Sequence, residues 1–88
     1  MSEEEEFSIE ITKTAKKKLL KFDRELQRRF AKKVLKLKKG PETYGKPLRN
    51  VLAGSWEIYF EKRFRILYSI DHEKNIVIIE SILHKDEF

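Results

Sequence analysis

The clearest indication of the fold comes from residues 56–83, which read WEIYFEKRFRILYSIDHEKNIVIIESIL. Apolar and polar residues alternate in the first segment of this stretch, so that Trp56, Ile58 and Phe60 share one face of a strand. Polar turns at 62–63 and 72–75 then set off a second strand over 64–71 and a third over 76–83. Because the third segment is apolar on both faces, it is predicted to lie inside the sheet rather than at its edge.

The amino-terminal half predicts one strand followed by two helices. Residues 7–11 alternate with period two, and Thr12 or Thr14 can cap a helix that begins just after them. Asp23 offers the cap of a second helix, whose apolar stripe runs to the Gly40-Pro41 pair that ends it. The stripe consists of Leu26, Phe30, Val34 and Leu37.

These elements predict an α+β fold with the order β-α-α-β-β-β. The two helices form a hairpin packed on one face of a four-stranded, mostly antiparallel sheet, and residues 41–54 are mostly loop. We expect an acidic flexible tail over residues 1–6 and a single domain over 7–88.

Composition narrows the classes of function. The 88 residues include no cysteine, which excludes a disulfide scaffold and a cysteine nucleophile. No apolar run is long enough for a membrane span, and the acidic start is unlike a signal peptide, so we expect a cytoplasmic protein with no membrane partner. The net charge of +5 becomes +9 when the four glutamates at positions 3–6 are left aside. Such a charge favours binding to polyanions or to an acidic protein.

Signatures of cofactor and metal chemistry are missing from the sequence. The three glycines have neither the spacing nor the ending of a phosphate-binding loop. Only His72 and His84 could supply imidazole ligands, and they lie at opposite ends of the third strand. No metal and no cofactor are therefore predicted.

The order of several short motifs resembles the RelE/ParE toxin superfamily, including its YoeB-like branch. The matching elements are Leu52-Ala53-Gly54, the aromatic Trp56, the segment Phe64-Arg65-Ile66-Leu67-Tyr68, and His84-Lys85 before Phe88. The resemblance covers nearly the whole chain from Phe7.

The resemblance implies the toxin of a toxin–antitoxin pair. RelE-like members cleave mRNA on the ribosome without metal, by attack of a ribose 2′-hydroxyl on the adjacent phosphate. The implied partners are the ribosome, mRNA and a cognate antitoxin in a hetero-oligomer. Two alternatives stay open: a ParE-like DNA gyrase inhibitor without catalysis, and a degenerate toxin that only binds its antitoxin.

The expected RNA cleavage requires a base, a cation for the phosphorane and an acid. Arg65 is the predicted cation, because its guanidinium fork matches two phosphate oxygens. Glu57 is the candidate base, His84 or Lys85 is the acid, and Tyr59 lies in the pocket. Where RelE-like relatives often carry two lysines, this chain has Glu57 and Tyr59.

Structural roles for the same residues remain open alternatives. Arg65 could pair with Glu57 or Glu61, Glu57 could pair with Lys46 instead, and His84 could be an ordinary exposed residue. Further residues are predicted to bind RNA. These are Lys46, Arg49, Lys62, Arg63 and Phe88.

Overall fold

The computed structural model describes residues 6–49 and 54–87. A five-stranded sheet in the order β1-β5-β4-β3-β2 forms one layer, and the helices form the other. The strands are β1 (Ser8–Ile11), β2 (Lys46–Pro47), β3 (Trp56–Phe60), β4 (Phe64–Asp71) and β5 (Ile76–His84). β1 runs parallel to β5, and the remaining pairs are antiparallel. The predicted α+β fold is confirmed, with one strand more than expected.

Two helices form the predicted hairpin, α1 (Lys13–Leu20) and α2 (Arg24–Lys39). Of the two threonines considered, Thr12 is the cap of α1, and its hydroxyl accepts from the Ala15 amide at 3.2 Å. Asp23 caps α2 by accepting from the Leu26 amide at 2.8 Å. Both caps satisfy amides that the first turn of a helix leaves without a partner.

The segment after Gly40 is more regular than predicted. It forms a short helix, α3 (Pro41–Tyr44), and the two-residue strand β2 at the edge of the sheet. Proline at the first helical position has its φ preset and needs no donor there, which favours a turn of helix where a loop was expected. The rest of the predicted loop, residues 50–53, lies outside the described residues.

The apolar side chains of the sheet meet the helices on one side, which we call the helix face. The core includes Phe30 and Leu37 of α2, together with Phe60, Ile66 and Ile79 of the sheet. The opposite side of the sheet, which we call the outer face, carries the alternate residues of each strand. In β3 and the paired part of β4 these include Glu57, Tyr59, Arg65 and Leu67.

Tyr68 fastens α3 to the core. Its side chain is fully buried, and its hydroxyl donates to the carbonyl oxygen of Pro41 at 2.6 Å. Burial, and to a lesser extent the charge of Glu42, raises the pKa of Tyr68 to about 12. The neutral phenol is therefore the form that the folded protein favours.

The raised pKa of Tyr68 predicts a loss of stability in alkali. An unfolded tyrosine loses its proton near pH 10 and the folded one near pH 12, so the stabilisation is complete below pH 10 and disappears as pH rises towards 12. The two-unit difference corresponds to about 3 kcal/mol. Urea unfolding at pH 8 and pH 11.5 should show about two thirds of this loss in the parent protein and a smaller loss in Tyr68→Phe. Equal losses in the two proteins would contradict the assignment.

Candidate functional site

The outer face brings together a group of polar side chains from β2, β3 and β4, which we call the outer-face cluster. It consists of Lys46, Glu57, Tyr59 and Arg65. Tyr59 lies directly opposite Arg65 in the β3–β4 pair, and Lys46 lies opposite Glu57 in the β2–β3 pair. Glu57 and Arg65 are diagonal neighbours on one face, which is within reach of long side chains. Period-two alternation places Glu57, Tyr59 and Arg65 on one surface, and the pairing of β2 with β3 adds Lys46.

An ion pair lies at the centre of the outer-face cluster. Arg65 Nε is 2.8 Å from Glu57 Oε1, and both atoms are shielded from solvent. Glu57 is only 8% exposed, and among the described residues it is the one charged residue that is buried. Of the pairings considered from sequence, the structure has Glu57 with Arg65, while Glu61 pairs with Arg29 at 3.0 Å. A charge this buried requires such a partner, so Glu57 fixes the position of the guanidinium.

Tyr59 lies between two cations. The centre of its ring is 5.5 Å from Arg65 Cζ and 5.8 Å from Lys46 Nζ, and the side chain is 49% exposed. Cations at these distances are attracted to the face of an aromatic ring. An exposed ring flanked by two cations offers a stacking surface together with charges for an anion.

The edge of the cluster is formed by a residue that the sequence did not single out. Lys33 of α2 lines a surface cavity of about 450 Å³ together with Tyr59, Glu61 and Lys62. Because Lys33 comes from a helix and Tyr59 from a distant strand, only their packing brings them together. In the sequence, Lys33 is one of several lysines in α2, and nothing in the pattern distinguishes it from the others.

His84 does not join the outer-face cluster. It lies opposite Phe64 in the β4–β5 pair, and the two rings meet edge to face with their centres 5.3 Å apart. Because residues paired across strands share a face, the imidazole lies on the helix face, on the other side of the sheet from Arg65. Its Nδ1 accepts from the Asp86 amide at 3.2 Å.

A β-bulge explains the orientation of His84. Leu67 pairs with Ser81 and Tyr68 with Ile79, so Glu80 is an extra residue in β5. One extra residue reverses the alternation of all positions beyond it. The carbonyl oxygen of Glu80, the extra residue, accepts a hydrogen bond from the Thr12 hydroxyl at 2.8 Å.

Lys85 starts a 3-10 turn, Lys85–Glu87, beside the β3–β4 turn. Its amide donates to the carbonyl oxygen of Arg63 at 2.7 Å, and its side chain is exposed. Arg63 and Lys62 are exposed in that same turn, and Arg49 is exposed near β2. The predicted RNA-binding residue Phe88 lies outside the described residues.

Neither a metal site nor a membrane span is found where the structure describes the chain. Within residues 6–49 and 54–87, no group of three or more histidine or acidic side chains is arranged to hold a metal ion. The helices of the same residues include none long and apolar enough to cross a bilayer.

Comparisons with known proteins identify the fold as that of toxins of the RelE, YoeB and ParE type. The toxin–antitoxin complex RelBE2 of Mycobacterium tuberculosis matches with a TM-score of 0.82 and 30% identity, over 91% of this chain and 99% of that one. The YoeB/ParE toxin of Agrobacterium tumefaciens matches with a TM-score of 0.76 over 89% of this chain and 98% of that one; at 13% identity it shows the fold alone. The archaeal RelE–RelB complex of Pyrococcus horikoshii likewise matches in fold, with a TM-score of 0.71 and 17% identity over 93% and 98% of the chains.

The family follows from the sequence. Residues 9–87 match the family described as the ParE toxin of the type II toxin–antitoxin system parDE. The chain belongs to this family, and the predicted superfamily is thereby confirmed. A search for curated relatives found no match.

Proposed function

We propose that this toxin cleaves RNA, namely mRNA bound to the ribosome, without a metal ion. The observation that carries the proposal is the outer-face cluster, where Arg65 is anchored by Glu57 and its guanidinium lies over the exposed ring of Tyr59. An anchored guanidinium can hold two phosphate oxygens, and the ring can stack on a base. RelBE2 of Mycobacterium tuberculosis, the relative with 30% identity, was solved as a toxin–antitoxin complex. This supports a cognate antitoxin as the partner of this chain.

In the proposed reaction, the ribose 2′-oxygen attacks the adjacent phosphorus and the bond from phosphorus to the 5′-oxygen breaks. The products are a 2′,3′-cyclic phosphate and a free 5′-hydroxyl, so the reaction needs neither an oxidant nor a co-reactant. Arg65 stabilises the charge of the phosphorane, and Lys46 adds a second cation near Tyr59. Glu57 takes the 2′-hydroxyl proton once the phosphate draws the guanidinium towards itself.

The proton donor is assigned to Lys85. His84 and Lys85 were both candidates, but the imidazole lies on the helix face, whereas Lys85 lies beside the β3–β4 turn that leads into Arg65. The side chains of Lys62, Arg63 and Arg49 are exposed. Their proposed role is to bind the phosphate backbone of the RNA. Because the proposed substrate is mRNA on the ribosome, the proposed location of the protein is the cytoplasm.

A second function, inhibition of DNA gyrase without catalysis, is favoured by one feature of the cluster. The carboxylate that would serve as the base is engaged by Arg65 at 2.8 Å. If this pair persists in the bound state, the cluster is a binding surface and carries out no proton transfer.

Two assays on the full-length toxin distinguish the functions. Ribosomes programmed with a defined mRNA are expected to give cuts at fixed codon positions, detected by primer extension, and the cuts should persist in EDTA. DNA supercoiling by gyrase should be unimpaired at the same toxin concentration. Impaired supercoiling with intact mRNA would overturn the proposal in favour of the gyrase inhibitor. If the toxin neither cleaves mRNA nor impairs supercoiling, the proposal is overturned in favour of a protein that only binds its antitoxin.

A further inference from the structure

Two hydrogen bonds close the 3-10 turn Lys85–Glu87, which we call the Lys85 turn. Glu87 Oε1 accepts from the His84 amide at 2.6 Å, and His84 Nδ1 accepts from the Asp86 amide at 3.2 Å. The arrangement is similar to a capping box, in which the side chains of the capping residue and of the third residue after it accept from free amides. The Lys85 turn therefore carries the side chains that keep it in one shape.

The Lys85 turn is also attached to the first helix. Lys18 Nζ of α1 is 2.9 Å from the same Glu87 Oε1, so one carboxylate oxygen binds both the turn and the helix. The hydrogen bonds from the His84 amide and from Lys18 hold the pKa of Glu87 below its usual range, so the carboxylate is charged at neutral pH. Because the side chains of Lys18 and Glu87 are 30% and 45% exposed, the pair contributes little to the stability of the whole fold.

The backbone register places Lys85 beside Arg65. The Lys85 amide donates to the carbonyl oxygen of Arg63 at 2.7 Å, which continues the β4–β5 pairing by one residue past the end of β5. Successive residues of a strand alternate between faces, and the His84 ring lies on the helix face, so the next position belongs to the outer face. Lys85 is then a diagonal neighbour of Arg65, which is within reach of a long side chain.

We propose that Glu87 and Lys18 are positioning residues that hold the amino group of Lys85 towards the leaving 5′-oxygen of the RNA. The inference rests on the proposed function, in which Lys85 is the proton donor. The bond from phosphorus to the 5′-oxygen breaks while that oxygen takes a proton from Lys85 Nζ. A lysine side chain is long and flexible, so a fixed backbone beneath it limits the positions that its amino group can take.

The first test measures cleavage of ribosome-bound mRNA by the full-length toxin. Glu87→Ala is expected to lower the maximum rate about tenfold and to leave the toxin concentration at half-maximal rate within about twofold, because it removes no group that contacts the RNA. Lys18→Met should lower the maximum rate less, about threefold, because the His84 amide still binds Glu87. Lys18→Arg restores the ion pair and should restore the rate. Lys17→Met, which changes an exposed lysine of the same helix, is the matched control for the loss of a charge.

The second test uses an mRNA in which sulfur replaces the leaving 5′-oxygen. A thiol has a pKa of about 8.5, so the sulfur leaves as a thiolate and needs no proton donor. On this RNA, Glu87→Ala and Lys85→Ala should both cleave within about twofold of the parent rate. Arg65→Ala should remain slow on both RNAs, because the charge of the phosphorane still has to be stabilised.

The outcomes separate this inference from the proposed function. A parent-like rate for Glu87→Ala or Lys85→Ala on ordinary mRNA would overturn the inference alone, and so would equal impairment of Glu87→Ala on the two RNAs. If the parent protein cleaves neither RNA, the proposed function is overturned together with the inference. In a Lys85→Ala background, Glu87→Ala should cause no further loss of rate. The thermal unfolding midpoints of all these variants of Glu87 and Lys18 should lie within about 5 °C of the parent value.

Discussion

Gly45→Ala is expected to destabilise the protein by about 3 kcal/mol or more. A β-carbon built at Gly45 would lie 1.8 Å from the Tyr68 hydroxyl and 2.8 Å from the carbonyl oxygen of Glu57. The alanine must therefore displace a fully buried ring and break its hydrogen bond to Pro41. The free energy of unfolding, measured in urea, should fall by this amount.

Two variants test this explanation of the Gly45 effect. Gly40→Ala meets its nearest neighbours at 3.1 Å, in the side chain of Thr43, and should change stability by less than about 1 kcal/mol. Adding Tyr68→Phe to Gly45→Ala removes the oxygen that the new methyl group meets, so the two losses should not add. Simple additivity would show that the hydroxyl is not the cause.

Arg65→Ala is expected to lower the rate of mRNA cleavage by a factor on the order of 100 or more. The substitution removes the cation that the proposal assigns to the phosphorane and the ring contact with Tyr59. It also leaves Glu57 buried without this partner, which costs stability, up to about 3 kcal/mol. Cleavage must therefore be measured well below the unfolding temperature, with circular dichroism confirming that the protein is folded.

Arg65→Lys separates chemistry from stability. Lysine retains a positive charge near Glu57 but lacks the planar fork, so the protein should stay folded while cleavage still falls at least tenfold. Arg28→Ala removes an exposed arginine that pairs with Glu25 on α2, and it should leave cleavage within about twofold of the parent value. His84→Ala should reduce cleavage less than about threefold, because the imidazole lies on the helix face. Cleavage by Arg65→Lys at the parent rate would remove Arg65 from the proposed mechanism.

Much of the fold follows from local patterns. Period-two alternation in β3 and β4 places Glu57, Tyr59 and Arg65 on one face whatever the rest of the chain does. Capping chemistry locates the cap of α2 at Asp23 and narrows the cap of α1 to Thr12 or Thr14, since an amide without a partner needs a nearby side-chain oxygen. The short elements α3 and β2 were missed because two to four residues are too few to show a period.

The order of α1, α2 and the four longer strands, the helix face, and the common face of Glu57, Tyr59 and Arg65 could all be predicted from the sequence. These depend on the spacing of apolar residues, which each segment carries within itself. The tertiary structure alone decided that Glu57 pairs with Arg65, that Lys33 joins Tyr59, and that the bulge at Glu80 turns His84 to the helix face. The reason is register: a single extra residue in β5 reverses the direction of the side chains beyond it, and only pairing with β4 reveals that residue.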